Sequence, residues 1–161
     1  DILERRLTPE DIQRTLAEET GFEVVWLKQK IIIRGALPGL NEYITAERTN
    51  RYKGAELKKR AESIVLRSLR GLGKWQAEGP VYMIYHWYCA DRRRDKDNIS
   101  SFGRKVIQDA LVKSKILPND GWKDISGFED RFYVDRKNPR IVVELIEEEE
   151  TWKSHSMKST F

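Results

Sequence analysis

The nine residues Val81–Cys89 read Val-Tyr-Met-Ile-Tyr-His-Trp-Tyr-Cys, without an acid, a lysine, an arginine or a break. β-Branched and aromatic side chains favour a strand. Alternation puts Val81, Met83, Tyr85, Trp87 and Cys89 on one face and Tyr82, Ile84, His86 and Tyr88 on the other. Both faces are largely apolar, so the segment predicts a central strand covered on both sides. Cys89 is then a small buried residue, and His86 a hydrogen-bonded packing residue rather than a ligand or a base. Cys89 is also the only cysteine, which excludes a disulfide framework and a thiol metal cluster.

The rest of the chain arranges itself around that strand. Thr8-Pro9-Glu10-Asp11 starts a short amphipathic helix, with Ile12 and Leu16 inward and Gly21 as its stop. Residues 1–27 are expected to form an N-terminal helical appendage, with Phe22–Leu27 either a short strand or a docking segment. Ile31-Ile32-Ile33 marks a strand over Lys28–Leu37, closed by Pro38-Gly39. Asn41 and Tyr43 fall in the loop before a long helix, Glu47–Arg70, whose buried face is Leu57, Ala61, Ile64, Val65 and Leu69. Gly71 and Gly73 end it, and Pro80 introduces the central strand. Asn98 is expected to cap a second helix with the stripe Ile99, Phe102, Val106, Ile107, Ala110 and Leu111, ending near Lys115. Pro118 closes the connection after it, and Asp120 lies in the turn beyond. Ile125–Val134 and Arg140–Ile146 read as two strands of a hairpin around Lys137-Asn138-Pro139. Residues 147–161 form a polar tail. The expectation is an α+β fold: one domain over 28–146, with a single mixed sheet of about four strands and two main helices in the order β-α-β-α-β-β.

Charge is unevenly placed. The formal net charge is only +4, yet Arg48–Lys115 holds 17 Lys/Arg against 7 Asp/Glu, a local net of +10. A basic centre is the footprint of a phosphate-backbone binder, although a solvated charged surface gives the same count. No apolar run is long enough to span a bilayer and no signal-peptide pattern is present, which predicts a soluble cytoplasmic protein without a membrane partner.

Within that basic centre, Asp91-Arg92-Arg93-Arg94-Asp95-Lys96-Asp97-Asn98 interleaves four cations with three carboxylates. Carboxylates two residues apart repel one another, so positive charge must stand between them: the neighbouring arginines, or a hard divalent cation. Oxygen ligands suit Mg²⁺, which binds through one or two carboxylates and keeps waters for a phosphate to replace. The alternative is a turn whose acids cap the next helix and pair with the arginines. Lys105 stands on that helix, with a solvated surface lysine as the alternative reading. Asp109 is expected to anchor the helix. Asp124, Glu129, Asp130 and Asp135 are read as surface acids, with Asp130 within reach of the loop from its strand.

Several motifs, in order, resemble the RusA family of Holliday junction resolvases. Leu37-Pro38-Gly39-Leu40-Asn41-Glu42-Tyr43 resembles the family's proline, asparagine and tyrosine motif after the first strand. Asp91–Asn98 resembles its arginine-rich Asp-x-Asp-Asn motif. Lys105, Asp109-Ala110-Leu111 and Asn119-Asp120 follow in the family's order. The resemblance covers Lys28–Ile146. It implies a homodimeric, Mg²⁺-dependent endodeoxyribonuclease that resolves four-way DNA junctions by paired symmetric nicks. Asp95, Asp97 and Asp120 would be the metal ligands and Lys105 the catalytic lysine. Arg92, Arg93, Arg94 and Lys96 would grip phosphates, as would Lys58 and Lys59 on the basic side of the first helix.

The chain departs from the family twice. The interval from Asp97 to Lys105 is four residues longer than in the family's pattern, about one helical turn or 5.4 Å, and Ser101 occupies the unshifted position. Asn119 stands where the family carries another aspartate. A branched-DNA binding protein with weakened or lost catalysis is the second reading. RNA binding is a third, disfavoured by the scarcity of aromatics in the basic segments.

Overall fold

The computed structural model describes residues 22–152, with side chains described for residues 27–147. The expected helix over Thr8–Gly21 and the end of the tail, residues 153–161, lie outside the described residues. The elements are β1 (Phe22–Arg34), α1 (Leu40–Thr49), α2 (Arg51–Ser68) with a 3₁₀ turn at Leu69–Leu72, β2 (Val81–Cys89), α3 (Lys96–Lys113), β3 (Ile125–Val134) and β4 (Arg140–Trp152). The fold is α+β, with one four-stranded mixed sheet.

The sheet order is β1-β4-β2-β3, which makes β2 an interior strand, as its two apolar faces require. Register aligns Ile31, Val143 and Tyr85 in one row and Ile33, Ile141 and Trp87 in the next. These residues belong to the core with Ala61 and Val65 of α2 and with Phe102, Val106, Ile107, Ala110 and Leu111 of α3. Each large side chain buried there stabilises the fold by roughly 1.5–3 kcal/mol. The opposite face of the sheet carries Ile84, Val142 and Ile146, which are also buried.

Three expectations are corrected. First, β3 and β4 are not a hairpin. β3 runs parallel to β2 and β4 runs antiparallel to it, one on each edge. The connection Asp135–Pro139 crosses the end of β2 instead: the Asp135 N–H donates to the Cys89 carbonyl (2.8 Å), and Pro139 accepts from the Gly35 N–H (2.9 Å). An interior strand has two edges of unpaired backbone to satisfy, and β3 on one side and β4 on the other satisfy them.

Second, the long helix is two. Asn50 is extended, and its side chain accepts from the Lys53 N–H at 2.9 Å, capping α2. Asn41 and Tyr43 therefore sit in α1 rather than in a loop. Third, Asp95 rather than Asn98 occupies the cap position of α3, without a side-chain capping bond. The pairing of β1 with β4 runs from Phe22↔Trp152 to Arg34↔Arg140.

Candidate functional site

The chain leaves β2 at Cys89 and enters α3 at Lys96, so the charged loop sits where an interior strand hands over to a helix N-terminus. Asp91 turns the loop: its carboxylate accepts from the Arg93 N–H at 2.9 Å and pairs with the Arg93 side chain at 3.6 Å. Arg94 reaches Glu42 of α1 at 3.8 Å. The Lys96 ammonium lies over the Phe132 ring of β3, 5.7 Å from its centre. Arg92 is exposed. Asp91, Arg92, Arg94, Asp95, Lys96 and Phe132 line a groove of about 620 Å³.

Asp95 and Asp97 are different from their neighbours. Both are exposed, and neither carboxylate has a side-chain partner among the described residues. The positive end of α3 favours acids there by a few tenths to about 1 kcal/mol. It leaves both carboxylates with oxygen lone pairs facing water. An all-oxygen pair of this kind fits Mg²⁺.

The expected N-terminal motif is packed directly against this loop. Asn98 Oδ1 accepts from the Asn41 N–H at 2.8 Å. Gly39 is needed for that approach, because a Cβ there would stand 2.7 Å from Asn98 Oδ1 and 3.0 Å from the Asn98 carbonyl. Tyr43 stacks on Phe102 at 4.5 Å. Two motifs separated in sequence thus form one corner of the molecule.

Lys105 and Asp120 also meet, but farther along α3. The Lys105 ammonium lies 3.0 Å from Asp109 and 3.2 Å from Asp120, and Lys58 of α2 holds the other Asp109 oxygen at 2.9 Å. The bond to Asp109, and then that to Asp120, raise the Lys105 pKa above the ordinary lysine value. Burial pushes the Asp109 carboxyl up, but the bonds from Lys58 and Lys105 outweigh it and hold the group below the usual carboxylate range. Asp120 is placed by its turn. Asn119 accepts from the Asp120 N–H at 2.9 Å, and Asp124 accepts from the Gly121 N–H at 3.2 Å. The Asp124 carbonyl receives the Val81 N–H at 3.0 Å. Asp124 is buried, not a surface acid.

The expected constellation therefore stands as two parts on one helix. Eight residues of α3 separate Asp97 from Lys105, a rise of about 12 Å. Among the described residues no group of three or more His, Cys, Asp or Glu side chains is gathered closely enough to hold a metal ion. Asp120 is occupied by Lys105. Of the expected DNA-binding residues, Arg92, Arg93, Lys96 and Lys59 are exposed, whereas Lys58 is engaged with Asp109.

Three features escape the sequence pattern. Asp130 accepts from the Trp87 indole at 2.9 Å and pairs with Arg104, so it anchors α3 to the sheet. Tyr88 stacks on Tyr133 at 4.5 Å, under Arg140 at 3.7 Å. Trp122, just beyond Asp120, is fully exposed. An aromatic residue inside a polar turn was the available signal for the last. His86 behaves as expected, bonded to Tyr133 and Glu144 at 3.0 and 3.2 Å. Among the described residues no helix is long and apolar enough to cross a membrane. No family model matches this chain, and no match was found among curated proteins.

Proposed function

We propose that this protein is a Mg²⁺-dependent endonuclease of the RusA type, acting as a homodimer on four-way DNA junctions. The observation that carries the reading is the Asp95–Asp97 pair: two exposed carboxylates without side-chain partners among the described residues, set among four cations at a helix N-terminus. Arg92, Arg93 and Lys96 bind the flanking phosphates, and Arg94, tied to Glu42, fixes the loop against α1. Bound Mg²⁺ would supply Lewis-acid polarisation of the phosphoryl oxygen and lower the pKa of a coordinated water. Asp95 and Asp97 would hold it. Asp120 would add to that set only if its ion pair with Lys105 opened, and Lys105 would then be free to offset charge on a phosphate. A two-fold dimer presents one such site to each of two opposed strands of a junction, giving paired nicks.

The second reading, a branched-DNA binding protein of weak or absent catalysis, is favoured by one observation, the closed Lys105–Asp120 pair two turns from Asp97. Junction binding and cleavage, assayed with Mg²⁺ and with a chelator, separate the two. Asp97→Asn is expected to lower nicking by about 100-fold or more while leaving junction binding intact, since it removes charge but little shape. Normal cutting by that variant would overturn the site assignment. Binding by the wild type without any cutting in Mg²⁺ establishes the second reading.

A further inference from the structure

We propose that the cleft beside Asp120 receives one unpaired nucleobase of the bound DNA, stacked on Trp122 and Phe128. The inference rests on the DNA-binding reading above and names a contact within it. The cleft measures about 350 Å³ and is lined by Gln108, Asp120, Gly121, Trp122, Ile125 and Phe128, with Gly127 at its edge. That volume is near the lower end of small-molecule sites, roughly 300–1,000 Å³, and is large enough for one base.

Its walls are arranged for a flat, polar-edged group. Trp122 is 101% exposed and Phe128 is 48% exposed, so neither contributes much to the core. Indole surface left in water stabilises nothing in the fold, and such exposure marks a contact surface. The Phe128 ring is nevertheless held. The Arg104 guanidinium lies 4.8 Å from its centre, and Tyr85 meets it edge-on at 6.3 Å and 83°. A ring fixed by two neighbours and still half open loses little freedom when a base stacks on it. Gln108 supplies the edge contact. Its amide nitrogen donates to the Tyr85 hydroxyl at 3.1 Å, which orients the amide and leaves its oxygen to accept from an exocyclic amine. Adenine, cytosine and guanine carry such an amine, and thymine does not.

Charge around the cleft matches a DNA strand. Lys123 is exposed one residue beyond Trp122, and Lys105 borders Asp120. A second copy of the chain fits less well. A two-fold contact centred here would bring these lysines toward their own equivalents, with like charges opposed.

The test uses the full chain in chelator, so that no strand is cut. A duplex with one unpaired 2-aminopurine is compared with the same duplex fully paired. Stacking quenches 2-aminopurine, and the wild type is expected to quench the unpaired probe. Trp122→Ala, at a position with nothing to lose in folding, should abolish the quench. It should also weaken binding of the unpaired duplex by about tenfold or more, the scale of one base–aromatic stack, and leave the paired duplex unchanged. Trp122→Phe should keep most of the affinity. Equal affinities and an unchanged quench for Trp122→Ala would overturn the proposal. So would a loss of dimer in sedimentation with DNA binding intact, which makes the patch a contact between copies. A wild type that cuts junctions without quenching refutes the base site alone. A wild type that quenches but never cuts in Mg²⁺ refutes the nuclease reading alone.

Discussion

Asn98 on the first turn of α3 accepts a hydrogen bond at 2.8 Å from the backbone N–H of Asn41 on the first turn of α1. Fifty-seven positions separate the two, and this bond, with Gly39 beneath it, joins the chain's first motif to the charged loop. Asn98→Ala is expected to cost about 1 kcal/mol, the usual net value of such a bond, and to lower Tm by about 2–4 °C. Gly39→Ala should cost more, because its Cβ would also meet the Asn98 backbone carbonyl at 3.0 Å. Thermal unfolding of both single variants and the double variant checks this. The double should recover only part of the Gly39→Ala loss, since the backbone contact remains.

Asp109 gives a pH dependence with a definite sign. Its carboxyl is held below the usual range by Lys58 and Lys105, so the stability it contributes is present above the unfolded carboxylate value, about 3.9. That stability is lost as pH falls through the lower folded value. The elevated Lys105 pKa acts on the other flank: its contribution is complete below the ordinary lysine value and declines as pH rises through the folded one. The Tm difference between wild type and Asp109→Asn should be flat near neutral pH and shrink below about pH 4. A difference that persists undiminished in acid would show that the carboxylate charge is not what matters.

Asp130 bonds Trp87 and pairs with Arg104 where both charged side chains are largely screened from water, 17% and 21% exposed. Asp130→Ala strands a cation beside the core and should destabilise by about 2–3 kcal/mol, somewhat less than for a fully buried pair. The double variant Asp130→Ala/Arg104→Met should regain part of that loss. Denaturant midpoints measure both. Neither effect should depend on Mg²⁺, which distinguishes this anchor from the Asp95–Asp97 pair.

Arg92 and Arg93 project from the loop into solvent. Arg92→Ala and Arg93→Ala should weaken DNA binding evenly across sequences. Each should reduce the slope of log affinity against log salt by about 1. Lys58→Ala should instead act through Asp109, lowering stability with little change in that slope. Fluorescence anisotropy across a salt series reads the slopes directly.

What the sequence alone decided was local. The two-faced apolar run of β2 and the stripe of α3 each state a periodicity, and the structure follows both, with Cys89 half-buried rather than buried. The carboxylate–arginine loop was equally legible, because eight consecutive residues carry it. Tertiary structure decided everything that depends on which edges and turns come together. β3 and β4 look like a hairpin until β2 requires a partner on each side. The Glu47–Arg70 run looks continuous until Asn50 finds the Lys53 N–H. Asp120 and Asp97 look like partners in a line of text, but in the fold Asp120 pairs with Lys105, two turns of α3 beyond Asp97. Periodicity is written into neighbouring residues, whereas pairing across the fold is settled by backbone hydrogen bonds and charges that have no fixed spacing along the chain.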